Sequence, residues 1–233
     1  MKHFAYGAFL LLLVAGFGLP AMADSVPLVN PGFETPPVPD GFNVPFIAGN
    51  YSHDPIAGWT ETDPAHSGQW QPTTVGPSNV YNSLPGSPTI GFVTPNGASL
   101  SQDATTIEAG TTYTLTVDVG RRTDMGWIAP TVALETYVNS GYIVLATAPA
   151  VIPTNGGWAN FTATYSADST YAGDPLWIFL ISNYQPPNAD WAFGQGQGNF
   201  DDVHLDASPE PATMALIGIG LCGLALLRRR LRR

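Results

Sequence analysis

The sequence has a single cysteine among 233 residues, Cys222. No intrachain disulfide can form, and thiol nucleophiles and Cys-based metal sites are excluded from everything before it. Bases are almost as scarce. Between Asp24 and Ser208 there are only two, Arg121 and Arg122, against 17 of the chain's 18 acids. The overall formal charge of −10 therefore understates how acidic the centre is. Nucleic-acid binding is excluded, because neutralising phosphates needs clustered Lys and Arg. Docking on anionic lipid head groups is disfavoured for the same reason. Outside the two ends there is also no long apolar run and no helix-length amphipathic pattern.

What is present is punctuation and aromatics. The 25 glycines and 22 prolines suit a turn-rich β protein better than a helical one. All six tryptophans and eight of nine tyrosines lie in the centre, a composition that can bury a core and disfavours disorder. Alternation predicts half-buried strands. Tyr113, Leu115, Val117 and Val119 alternate with Thr114, Thr116 and Asp118. Val132, Leu134, Thr136 and Val138 repeat the pattern, as do Phe161, Ala163 and Tyr165. Leu176–Ile181 reads as a strand buried on both faces, and Phe200–Leu205 as a short last strand. Residues 25–98, with 13 prolines, predict short strands between long loops. Asn155-Gly156-Gly157 and Gly173-Asp174-Pro175 read as turns, and Gly194, Gly196 and Gly198 as a flexible loop. The fold class expected is all-β, an antiparallel jelly-roll sandwich of a size that fits one domain.

The ends are read as targeting segments. Lys2 and His3, the apolar stretch Phe4–Leu19 and the small-x-small site Ala21-Met22-Ala23 predict a signal peptide over residues 1–23. The domain then covers 24–208. Residues 209–233 form a second signal. Ala212–Leu227 is an uncharged apolar run of 16 residues, about 24 Å long as a helix, and it is followed by five arginines within Arg228–Arg233. Snorkelling arginines make up the shortfall against a ~30 Å hydrocarbon core. The positive-inside rule keeps both charged ends cytoplasmic and the acidic domain outside. Pro209-Glu210-Pro211 precedes this run. The order Pro-Glu-Pro, membrane segment and arginine cluster resembles the PEP-CTERM sorting signal of bacterial exported proteins. That resemblance implies export, transient inner-membrane tethering, recognition by an exosortase-type processing enzyme, and release to the cell surface or exopolysaccharide matrix.

The centre carries a second resemblance. Leu28-Val29-Asn30-Pro31-Gly32-Phe33-Glu34 is followed by Gly58-Trp59, Leu100-Ser101-Gln102, Ala109–Leu115 and Phe200-Asp201-Asp202-Val203-His204-Leu205. In that order they are similar to galactose-binding-like jelly rolls, which include many carbohydrate-binding modules. The resemblance implies paired first and last strands and a structural calcium near them. Glu34, Asp201 and Asp202 are the calcium candidates, since calcium collects 6 to 8 oxygens, many from carboxylates. Adjacent Asp201 and Asp202 point to opposite faces of a regular strand, so only one can face inward. The alternative is a set of solvated acids.

Aromatic rings stack on the apolar faces of sugars. Trp70, Tyr81, Trp127, Tyr184 and Trp191 stand in loop-like surroundings, and Arg121 and Arg122 can grip hydroxyls or a carboxylate. These seven residues are the ligand-binding candidates, against the plainer reading that most fill the core. Trp59, Trp158 and Trp177 read as core. No catalytic residue is assigned. Neither G-x-S-x-G, H-E-x-x-H nor a phosphate loop is present, and Glu61 with Asp63 is an acid pair of the kind chance supplies. His53-Asp54 and His66 lack metal-ligand spacing. The expected function is that of a non-catalytic exported module for extracellular polysaccharide. The alternatives are a structural matrix protein without specific sugar binding and, behind both, a glycoside hydrolase or lyase.

Overall fold

The computed structural model describes residues 23–38, 49–73, 79–94, 97–183 and 196–209. Most of the signal peptide, the 212–227 segment, Tyr184, Trp191, Glu210 and Pro211 lie outside the described residues. Residues 25–207 form one compact unit. The chain ends, 1–24 and 208–233, form another, of which only four residues are described.

Every regular element among the described residues is a strand. In chain order they are β1 (Asp24–Ser25), β2 (Gly49–Ser52), β3 (Thr60–Glu61), β4 (Ser67–Pro72), β5 (Ile90–Val93) and β6 (Ser99–Thr106). There follow β7 (Thr111–Gly120), β8 (Thr131–Val138), β9 (Gly141–Thr147), β10 (Trp158–Ser166), β11 (Pro175–Ile181) and β12 (Gly198–Pro209). Two sheets pack into an antiparallel β-sandwich, as expected. Sheet A runs β10-β7-β12-β5-β4-β2, and sheet B runs β3-β6-β11-β8-β9. The first and last parts of the domain meet, with Val26 N donating to Leu205 O at 2.7 Å.

Alternation fixes which faces meet. Tyr113, Leu115, Val117 and Val119 of β7 join Phe161 and Ala163 of β10 in the inter-sheet core, with Leu176, Ile178 and Leu180 of β11 opposite. Outward on sheet A the register pairs Thr114 with Thr164 and Thr116 with Thr162, and the Thr162 hydroxyl donates to Asn160 Oδ1 at 3.1 Å. The β11 run is buried on both sides, as its composition suggests, but for two reasons. Its even residues lie in the core, while Trp177 and Phe179 are covered by Tyr142 of β9. The Asn155-Gly156 turn forms as expected. Gly198 differs, opening β12 instead of belonging to a loop.

The strands of the proline-rich part run against simple patterning. In β4 it is Gln69 that faces the inter-sheet core, fully buried, with its side-chain amide donating to Phe33 O. Gly91, opposite Gln69 in β5, leaves room for the Phe33 ring, and a Cβ there would stand 2.8 Å from it. With Gln69 turned inward, Trp70 must point outward. The sandwich thereby acquires a second apolar cluster on the outer face of sheet A.

Candidate functional site

That second cluster consists of Trp70, Val80, Tyr81, Ile90 and Phe92, with Tyr51, Leu84 and Trp158 packed around it. Strand register builds its floor. Tyr51 of β2 lies opposite Trp70 of β4, Trp70 opposite Ile90 of β5, and Phe92 opposite Asn199 of β12. Loops supply its walls. Tyr81 is placed by a turn in which its backbone N–H meets Asn79 Oδ1 at 2.8 Å, and its ring stacks on Trp158 with centroids 4.9 Å apart. The Gly156 turn (φ 73°) locks these walls together. Asn82 N donates to Gly156 O at 2.8 Å, and Gly156 N to Arg121 O at 2.9 Å.

Arg122 covers the cluster. Its guanidinium carbon sits 4.7 Å from the Trp70 ring centroid. Asp124 grips it through two bonds, Nε to Oδ1 at 2.9 Å and NH2 to Oδ2 at 2.7 Å, and NH1 donates to the Gln197 side chain. Burial pushes the Asp124 carboxyl up, but the Arg122 hydrogen bonds and charge outweigh it and hold the group below the ordinary aspartate value. Burial also holds the Tyr81 phenol far above the usual tyrosine range, with Arg122 opposing weakly. Tyr81 therefore stays neutral and can donate.

Three polar atoms here are buried without a hydrogen-bond partner: Trp70 Nε1, Tyr81 Oη and Asn199 Oδ1. Leaving such a group unpaired costs about 1–3 kcal/mol, and native interiors pair the great majority of them. Two donors and one acceptor are thus left unpaired in and beside the aromatic cluster. At its edge, His53 stands edge-on to Tyr51 and Phe92, with centroids 5.2 and 5.5 Å away. His53 Nδ1 lies 2.7 Å from Ser67 O. A carbonyl can only accept, so Nδ1 carries a proton and donates.

Of the sequence candidates, the structure brings Trp70, Tyr81 and Arg122 together. Trp70 and Tyr81 are buried, not exposed platforms. Arg121 is beside them in sequence only, since its side chain donates to Pro153 O at 3.3 Å. Trp127 packs against the inter-sheet core. Of the three tryptophans read as core, Trp59 is in it, Trp158 belongs to the site, and Trp177 lies on the outer face of sheet B. Sequence reasoning missed Phe92, Gln197, Asn199 and His53. Strand register brings Phe92 and Asn199 to the site, while His53 directly follows β2 and Gln197 directly precedes β12.

The calcium candidates separate. Two residues, Asp201 and Asp202, stand between the core-facing Phe200 and Val203, where strict alternation allows one. Asp202 takes φ 48°, and the one extra residue with this left-handed backbone identifies a β-bulge in β12. The Asp202 carboxylate turns outward and pairs with His204 Nε2 at 2.8 Å. Asp201 is 1% exposed and burial pushes its carboxyl up to about 7. One of its oxygens accepts from Asp202 N at 2.8 Å, and the Ser87 backbone N–H also opposes the effect of burial on this carboxyl. Gly32 and Gly86 cradle it. A Cβ on Gly32 would lie 3.7 Å from Asp201 Oδ1 and 3.9 Å from Glu34 Cγ. Asp201 and Glu34 thus lie on either side of Gly32, whereas Asp202 turns away to His204. Among the described residues, no three His, Cys, Asp or Glu side chains gather as a metal site.

The family described as HpiC1-like, HpiC1 cyclase, matches residues 24–206. The chain belongs to that family. The PEP-CTERM protein-sorting motif matches residues 209–232, so the protein carries the exported, surface-sorted signature expected of its C-terminus. Among solved structures, the chain is similar to a Stig cyclase of Fischerella sp. TAU in complex with (3Z)-3-(1-methyl-2-pyrrolidinylidene)-3H-indole. Identity is 26% over 81% of this chain and 99% of that one, at a TM-score of 0.60. An apo cyclase from Fischerella sp. matches equally, at 26% identity over 80% and 97%, TM-score 0.60. A xylan-binding domain of Paenibacillus barcinonensis aligns at 13% identity over 70% and 97%, with a TM-score of 0.41. No curated protein matches the chain.

Proposed function

We propose that this cyclase-family chain is an exported, surface-sorted binding protein that holds a sugar unit of an extracellular polysaccharide at the aromatic site, without turning it over. One observation carries the reading. Trp70 Nε1, Tyr81 Oη and Asn199 Oδ1 are buried orphans of both hydrogen-bonding senses at a site lined by rings. A saccharide matches that set, because each hydroxyl can both donate and accept and the ring offers an apolar face. The site is close to neutral, since Arg122 is offset by Asp124, which suits an uncharged sugar. Asp201 and Glu34 hold a structural calcium that ties the Asn30–Glu34 turn to β12, away from the site.

A second reading, chemistry on a small aromatic molecule, is favoured by the family match and by the indole compound bound to the Fischerella enzyme. Tyr81, neutral and buried, would orient such a substrate by donating a hydrogen bond, since its raised phenol holds its proton too tightly to give it up.

Calorimetric titration of the full chain in micelles of a sugar-free polyoxyethylene ether separates them. Arms with neutral oligosaccharides and with that indole compound are compared for the wild type and Tyr81→Phe. Saturable oligosaccharide binding, weakened about tenfold or more in Tyr81→Phe, is expected. Binding or conversion of the indole compound alone would replace the first reading with the second.

A further inference from the structure

The outer face of sheet B holds a second set of rings unrelated to the site above. Tyr142 of β9 is its hub, with centroid distances of 4.9 Å to Tyr137, 5.7 Å to Trp177 and 4.7 Å to Phe179. Tyr137 and Tyr142 are 44% and 48% exposed, and Val144 beside them 59%. Exposed rings alone say only that something could cover them.

What gives this face a chemistry is Glu135. The register sets it opposite Trp177 of β11 and Val144 of β9, on the same face as Tyr137 two residues on. Its side chain is only 7% exposed. No hydrogen bond or ion pair to a described residue offsets its burial, and desolvation pushes its carboxyl above the ordinary glutamate value. Asp103 of β6 stands opposite Trp177 on the other side and, with Glu135, raises the Tyr142 phenol behind the larger effects of burial and Tyr137. Both arginines of the domain are engaged elsewhere, Arg122 by Asp124 and Arg121 by Pro153 O. This face therefore combines negative charge, electron-rich rings and no internal cation. An apolar side chain would pack at position 135 without the desolvation penalty.

We propose that this face binds a small organic ammonium ion, its charge neutralised by Glu135 and its alkyl groups set against Tyr142, Tyr137 and Trp177. A cation suits the patch better than a neutral ligand for two reasons. It offsets a carboxylate that a hydroxyl could only partly satisfy. It is also attracted by ring quadrupoles that are indifferent to an uncharged group. The Trp177 indole N–H, buried without a partner, can serve an oxygen on the same ligand.

The test uses the full chain in maltoside micelles, whose head groups carry no ammonium. Choline is titrated calorimetrically beside its uncharged isostere, in which carbon replaces the quaternary nitrogen. Expected are saturable choline binding, at least about tenfold weaker binding of the isostere, and a similar loss in Glu135→Gln. Tyr142→Leu, an exposed change that spares the core, should weaken choline binding even if Glu135→Gln alters folding. Equal affinity for choline and isostere, unchanged affinity in Tyr142→Leu, or no choline binding would each overturn the proposal. Oligosaccharide binding at the Trp70 site stands or falls separately.

Discussion

At the scale of single residues, the informative atoms are those that burial has stripped of partners. Tyr81 Oη is buried without a partner and costs stability unless a ligand supplies one. Tyr81→Phe should therefore leave the melting temperature unchanged or raise stability by about 1 kcal/mol, while weakening ligand binding. Thermal denaturation beside calorimetry checks both halves. A loss of more than ~1 kcal/mol would instead mean that the hydroxyl has a structural partner. Trp70 behaves oppositely. Its ring is 2% exposed, supports Arg122 and packs against Ile90 and Phe92. Trp70→Ala should cost about 3–5 kcal/mol and abolish binding together with stability, so it cannot by itself define a ligand contact. Denaturant titration measures the loss.

At the scale of the element, the bulge in β12 decides more than any strand in the molecule. It turns Asp201 into the Gly32–Gly86 cradle and Asp202 out to His204, and it keeps Val203 and Leu205 in phase with the core. Asp202 holds φ 48°, a region that suits Asp, Asn and Gly and penalises branched side chains. Asp202→Gly should be nearly neutral, whereas Asp202→Val should cost about 1–2 kcal/mol. Chemical denaturation of the two variants distinguishes this from a role in metal binding, which would make both harmful in calcium and neither in chelator.

At the scale of the whole molecule, the acids set the response to pH. Burial raises Asp201 to about 7 and lifts Asp118 and Glu135 above their ordinary values. An acid raised in the native state keeps protons that the unfolded chain has released, so stability falls as pH rises between the two pKa values. For Asp201 that window runs from the ordinary aspartate value near 4 to about 7. In chelator, the protein should melt at a higher temperature at pH 6 than at pH 8, and Asp201→Asn should flatten the difference. Added calcium should recover stability at pH 8 in the wild type but not in Asp201→Asn, because it takes the place of the proton. Scanning calorimetry at both pH values tests the set.

Much of this was legible along the chain. The β class, the core strands β7, β8, β10 and β11, and the sorting signal rest on local quantities: alternation, punctuation, composition and a contiguous motif. The same reasoning collected Trp70, Tyr81 and Arg122 as candidates but had no means of telling them from Trp127 and Arg121. What the tertiary structure alone decided is direction. A period of two says that neighbours face opposite ways, not which way is in, and β4 settles it by burying Gln69 and exporting Trp70. It likewise took cross-strand register to set Asn199 beside Phe92 and Glu135 beside Trp177. A bulge then separated Asp201 from Asp202. Pairing between segments far apart in sequence creates these neighbourhoods, and no local pattern encodes the register that such pairing adopts.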